Sequence, residues 1–307
     1  MSTFHTTDKE ISTPLNTPME NRNISDHLEL IIKSGDTSVF ISPEMGGMVT
    51  RFLTEKVGGD IKDILYFDEA DFEWSGKKPK IGIPILMPFA WPDKPDNIVR
   101  QHGGLREVPW VWEDATESSV TLSLNIRNIK DEELLSELRN KFGEDLDFKY
   151  TIRISISDWV LGYEIAIKNN GGSNMPVTPG LHPYFRVDPE RQSEMTSNLP
   201  SFDLSNSTWA PGSKALVFDR PKTNESVWFT IPGVWKIIID CDPRFDTFLV
   251  WSKQNAQGEK EWYICVEPWI GRPHDINISD KRINIAPKEE LQLSVSFRLE
   301  EETETNN

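Results

Sequence analysis

The groups in this chain best suited to moving protons are His182 in PVTPGLHPYFRV (residues 176–187), His102 in QHGGLR, and Glu267 in CVEPW. An unperturbed imidazole titrates at about 6.5, and a pocket can shift either an imidazole or a carboxylate by units. A histidine near a glutamate can therefore supply an acid and a base near neutral pH. Pro176, Pro179 and Pro183 restrict the backbone around His182, and Pro268 pins that of Glu267. Such rigidity suits a general acid or base. It equally suits a core-edge loop with a hydrogen-bonded histidine, or a buried carboxylate accepting a bond from a tryptophan or arginine. Three titratable groups in three shaped, aromatic-rich segments point to one pocket.

Other chemistries find less support. His102, His182 and His274 with a glutamate could coordinate Zn²⁺, but no H-x-H, H-E-x-x-H or cysteine pair guides them, so no metal and no cofactor are expected. Cys241 and Cys265 form neither a disulfide framework nor a C-x-x-C motif, which fits a reducing, cytoplasmic compartment. The paired glycines match neither G-x-G-x-x-G nor G-x-x-x-x-G-K-[ST], and no G-x-S-x-G elbow is present. A formal net charge of −16 argues against a nucleic-acid backbone or an anionic membrane surface as the main partner. No apolar run reaches about 18 residues and the N-terminus lacks a basic-plus-apolar signal, so neither a span nor secretion is expected.

The elements that must position these groups read as strands. Trp159 to Lys168 puts Trp159, Leu161, Tyr163, Ile165 and Ile167 on one parity, and Leu291 to Leu299 repeats the pattern. Leu28 to Lys33, Thr37 to Ile41, Lys62 to Phe67, Ser118 to Arg127, Phe148 to Ser157, Val234 to Cys241, Thr247 to Trp251 and Glu261 to Val266 also read as strands. Glu132 to Leu138 reads as a short helix or turn. KIGIPILMPFAWPDKP carries too many prolines for a regular element and is read as a loop lining the interior. Many short strands without βα alternation predict an all-β fold, a large antiparallel β-sandwich. The expected organisation is a polar tail over 1–26, one sandwich domain over 27–300 and an acidic tail over 301–307.

The set GIPILMPFAW, QHGGLR, TPGLHPYFRV and CVEPW, in this order, resembles the aldose 1-epimerase (mutarotase) superfamily, nearest its hexose-6-phosphate 1-epimerase-like branch. The resemblance spans roughly residues 28 to 299. It implies a cofactor-free isomerase that interconverts the α and β anomers of an aldose or sugar phosphate, as a monomer or weak dimer. It makes His182 the acid that protonates the ring oxygen and Glu267 the base that deprotonates the anomeric hydroxyl, the two flanking the hemiacetal from opposite sides. It implies substrate contacts from His102, Arg106, Arg51, Asp219 and Lys80, with Asp240 and Asp246 competing for the role of Asp219. The alternative on the same fold is a non-catalytic carbohydrate-binding or sugar-sensing protein. Two departures from the pattern, KIGIP for R-G-G-I-P and HGGLR for H-G-F-A-R, bear on substrate recognition more than on proton transfer and count against a phosphorylated sugar.

Overall fold

Alternation dictates the central sheet. In the strands Phe148–Ser157 and Val160–Asn169, every second side chain is buried. The two pair antiparallel across a tight turn in which Asp158 adopts a positive φ of 49°, the left-handed conformation that two-residue hairpin connections require. Glu290–Glu301 pairs with Val160–Asn169 and buries Leu291, Leu293, Val295, Phe297 and Leu299. Adding Trp235–Cys241 and Val227–Ile231 on one side, and Ser119–Asn125 and Val111–Ala115 on the other, completes a seven-stranded antiparallel sheet.

A computed structural model describes residues 20–24, 27–55, 59–72, 79–91, 99–212, 214–223 and 225–301. The expected tails over 1–19 and 302–307 lie outside these residues. Residues 20–24, assigned to the tail by sequence, instead form a strand against His27–Ser34. That strand opens a five-stranded antiparallel meander, continued by Thr37–Ser42, Met48–Glu55 and Ile61–Asp63. The strand expected over Lys62 to Phe67 is thus shorter and begins earlier. The helix is longer than expected: it runs Glu132–Phe142, and its Asp131 cap accepts the Leu134 N–H at 2.9 Å.

The sheet that carries the candidate site runs Leu216–Asp219, Thr247–Trp251, Tyr263–Trp269, Gly180–Leu181 and Ile85–Leu86, with Tyr184–Arg186 also paired to Tyr263–Trp269. The proline-rich loop thus contributes a short strand, Ile85–Leu86. All seven residues of Tyr263–Trp269 are buried, on both faces. Period 2 then sorts them. Ile264 and Val266 enter the main core shared with the seven-stranded sheet, whereas Cys265 and Trp269 join small clusters on the other face. Glu267 shares the parity of Cys265 and Trp269. In Thr247–Trp251 the same rule sends Phe248 and Val250 to the core and Leu249 to the Trp269 cluster.

Phe185 ties this sheet to the rest of the sandwich. Its ring lies 4.9 Å from Phe229 and 6.0 Å from Phe297. Phe185→Ala is expected to destabilise the fold by about 3–5 kcal/mol, the usual cost of emptying a buried phenylalanine site. The check is a urea midpoint that falls while the slope of the transition is unchanged.

Candidate active site

A cavity of about 450 Å³ opens on the non-core face of that sheet, lined by residues that include Lys80, Trp91, His102, Arg106, His182, Lys214, Trp251, Glu267 and Trp269. Five of the seven residues expected to form the site therefore meet in one place. His182 leaves the end of the short strand Gly180–Leu181, its backbone N–H donating to Pro84 at 3.0 Å. Gly180 is required there because a Cβ at that position would sit 2.6 Å from Trp269 Cδ1. The imidazole stacks on Tyr184 with centroids 4.6 Å apart and planes 7° apart.

His182 Nε2 stands 3.5 Å from Glu267 Oε2. The two groups are neighbours on one wall of the cavity. The reason is the pairing of Gly180–Leu181 and Tyr184–Arg186 alongside the glutamate strand. Glu267 Oε2 also accepts the Trp269 indole N–H at 3.1 Å. Burial drives the Glu267 carboxyl well above its ordinary range, opposed by the Trp269 bond and the Arg106 charge. Burial, followed by the Arg106 charge, pushes His182 down to about 3. Both groups are thereby biased toward their uncharged forms. Together they hold one proton between the lowered imidazole value and the raised carboxyl value.

His102 occupies a strained turn: it has φ +59° and is followed by two left-handed glycines, Gly103 and Gly104. For a non-glycine residue this conformation has a cost, and it marks a position held by its surroundings. Trp91, itself at φ +101°, donates its backbone N–H to His102 Nδ1 at 2.8 Å. That bond makes Nδ1 the acceptor, so the ring proton resides on Nε2. The His102 ring lies edge-on to both His182 and Trp269, at 5.9 and 5.8 Å. Arg106 lines the same cavity, and its guanidinium makes no hydrogen bond or ion pair among the described residues, its Nε being buried without a partner. Gly46 lets the backbone press against the Arg106 carbonyl, where any Cβ would collide.

Two expected residues lie elsewhere. Arg51 donates to Asp63 at 2.9 Å, its guanidinium 5.2 Å from the Phe67 ring, and lines a separate hollow of about 560 Å³ with Arg186 and Trp262. Asp219 is exposed and ion-paired with Arg272. The competing aspartates fare no better. Asp240 accepts the Ser226 hydroxyl, and Asp246 accepts the Gly271 N–H at 3.0 Å. Among the described residues no aspartate lines the cavity. The sequence reading also missed Trp91, Lys214 and Trp251. Strand parity could have flagged Trp251, which shares that of Leu249, but Lys214 sits in an irregular loop that carries no periodic signal.

No curated protein matches this sequence. Among solved structures, the Slr1438 protein from Synechocystis sp. PCC 6803 is similar at TM-score 0.71 and 21% identity, covering 95% of this chain and 100% of the other. A galactose mutarotase related enzyme from Lactobacillus acidophilus is similar at TM-score 0.68 and 16% identity, covering 90% and 98%. A galactose mutarotase-like protein from Clostridium acetobutylicum is similar at TM-score 0.68 and 15% identity, covering 92% and 98%. At these identities the likeness concerns the fold. The sequence itself matches the aldose 1-epimerase family over residues 35–225, a span that contains both His102 and His182. By that match over more than half its length, the chain belongs to the aldose 1-epimerase family.

Proposed function

We propose that this protein is an aldose 1-epimerase that interconverts the α and β anomers of a hexose or hexose phosphate by acid–base ring opening and reclosure. The observation that carries this reading is the approach of His182 Nε2 to within 3.5 Å of Glu267 Oε2 on the wall of an aromatic cavity. The hydroxyl and the ring oxygen of a hemiacetal are bonded to one carbon, so adjacent acid and base groups reach both. Glu267 takes the proton of the anomeric hydroxyl and His182 delivers one to the ring oxygen. The aldehyde then turns about its C1–C2 bond, and the reversed transfers close the other anomer. His102, through Nε2–H, and Arg106 hold ring and hydroxyl oxygens and the charge that develops on them. Trp91, Trp251 and Trp269 offer flat apolar surfaces to the faces of the sugar.

Among the described residues, the cavity lining carries three cationic side chains, Lys80, Arg106 and Lys214, and one carboxylate, that of Glu267. In a chain of net charge −16 this local excess favours an anionic aldose, in keeping with the hexose-6-phosphate 1-epimerase-like branch. Lys214→Met is expected to raise KM for a hexose 6-phosphate roughly tenfold, the scale of one charge-assisted contact, with little change for the free hexose. Equal effects on both would remove the phosphate from this reading. The reaction itself is tested by anomer-resolved NMR on a panel of hexoses and hexose phosphates. No acceleration above the buffer rate by folded protein sinks it. Calorimetric sugar binding without turnover would favour a sugar-binding protein instead.

A further inference from the structure

Beneath the candidate acid–base pair lies a group the proposed reaction does not use. Cys265 is fully buried on the strand of Glu267, two residues away and on the same face. His182, Cys265 and Glu267 each offer a ligand atom, and all three atoms lie within 4.8 Å of one another. We propose that these residues form a binding site for a thiophilic divalent cation, Zn²⁺ fitting best, and that its occupation silences the sugar site.

The donor chemistry supports this. One nitrogen, one sulfur and one oxygen ligand make a borderline-soft set of the kind zinc takes. Ligands about 2.0–2.3 Å from a tetrahedral zinc stand roughly 3.3–3.6 Å apart. The 3.5 Å between His182 and Glu267 already meets this spacing. The Cys265 sulfur needs a shift on the order of 1 Å at most to join them. His182 Nδ1 is buried without a hydrogen-bond partner among the described residues, and Nε2 already faces Glu267, so the ring can ligate in the orientation it has. His182 and Glu267 line the cavity, which gives the ion a path and leaves its fourth position for water. On binding, the Cys265 thiol and the His182–Glu267 pair each release one proton to solvent, and thiolate plus carboxylate neutralise the ion's two charges. The Arg106 charge opposes the cation, and the absence of an outer hydrogen bond on His182 loosens the ligand set. The site is thus an acquired one, reversible by chelators.

The test uses the full chain after chelator treatment. Co²⁺ is expected to give the near-ultraviolet thiolate-to-metal absorption band, and Zn²⁺ to displace it. Cys265→Ser should abolish the band and weaken calorimetric Zn²⁺ binding by at least roughly 100-fold, since even outer-sphere changes cost 10- to 100-fold. Zn²⁺ should stop wild-type anomerisation, chelator should restore it, and Cys265→Ser should keep its basal rate in the presence of Zn²⁺. A Co²⁺ complex of the wild type without the thiolate band overturns the proposal even if the variant does not fold. So does Zn²⁺ binding that Cys265→Ser leaves intact. If no sugar is turned over, the binding measurements still decide.

Discussion

Replacing Glu267 by glutamine is expected to lower turnover by roughly 10²- to 10⁴-fold, the usual contribution of a positioned general base. The substitution is nearly isosteric, and the amide oxygen can keep the Trp269 indole bond, so the loss isolates proton transfer from packing. Stability should move the other way. The folded-state pKa of Glu267 is raised by burial above its ordinary 4.5. Its contribution to stability is present below that ordinary value and is lost as pH rises through the folded value. Glutamine stays neutral throughout. Glu267→Gln should therefore gain urea resistance over wild type as pH rises above about 4.5, while remaining inactive. A variant that loses activity and stability together at every pH would make Glu267 a structural residue.

His182→Asn is expected to cost roughly 10²-fold or more and to change the shape of the pH–rate profile. Under the proposed mechanism the wild-type pair works while it holds one proton. The rate should fall on the acid side as a second proton enters, near the low value of about 3 to which burial and Arg106 push His182. It should fall on the alkaline side as the last proton leaves, above the ordinary carboxylate range because burial raises Glu267. These limbs belong to the coupled pair, not to either residue alone. Without the imidazole only the base remains, so the profile should become a single limb that rises as Glu267 ionises. Anomer-resolved NMR with buffer catalysis subtracted reads this directly, and an unchanged plateau in His182→Asn would remove the histidine from the chemistry.

What was legible in the sequence divides along a physical line. Alternation is local: Leu161, Tyr163, Ile165 and Ile167 declared their strand and their buried face together. The segments around His102, His182 and Glu267 were recognisable because prolines and glycines shape them, and the cavity does gather all three. Arg51 and Asp219 could not be placed, because their ion-pair partners Asp63 and Arg272 come from other segments brought near only by folding. The 3.5 Å spacing of His182 and Glu267 likewise depends on which strands become neighbours. Lys214 carried no signal because a lysine in an irregular loop looks like solvated surface.

The strand Tyr263–Trp269, buried on both faces, carries the catalytic candidate and core residues in strict alternation. Sliding its pairing by a single position would drive the Glu267 carboxyl into the hydrophobic interior and turn Val266 toward the cavity. Such a misregistered molecule would bury an unpaired polar group and lose core packing at once. Quality control of folding and assembly of the site are therefore the same event. A mispaired form of this strand would lose its core packing and its site together.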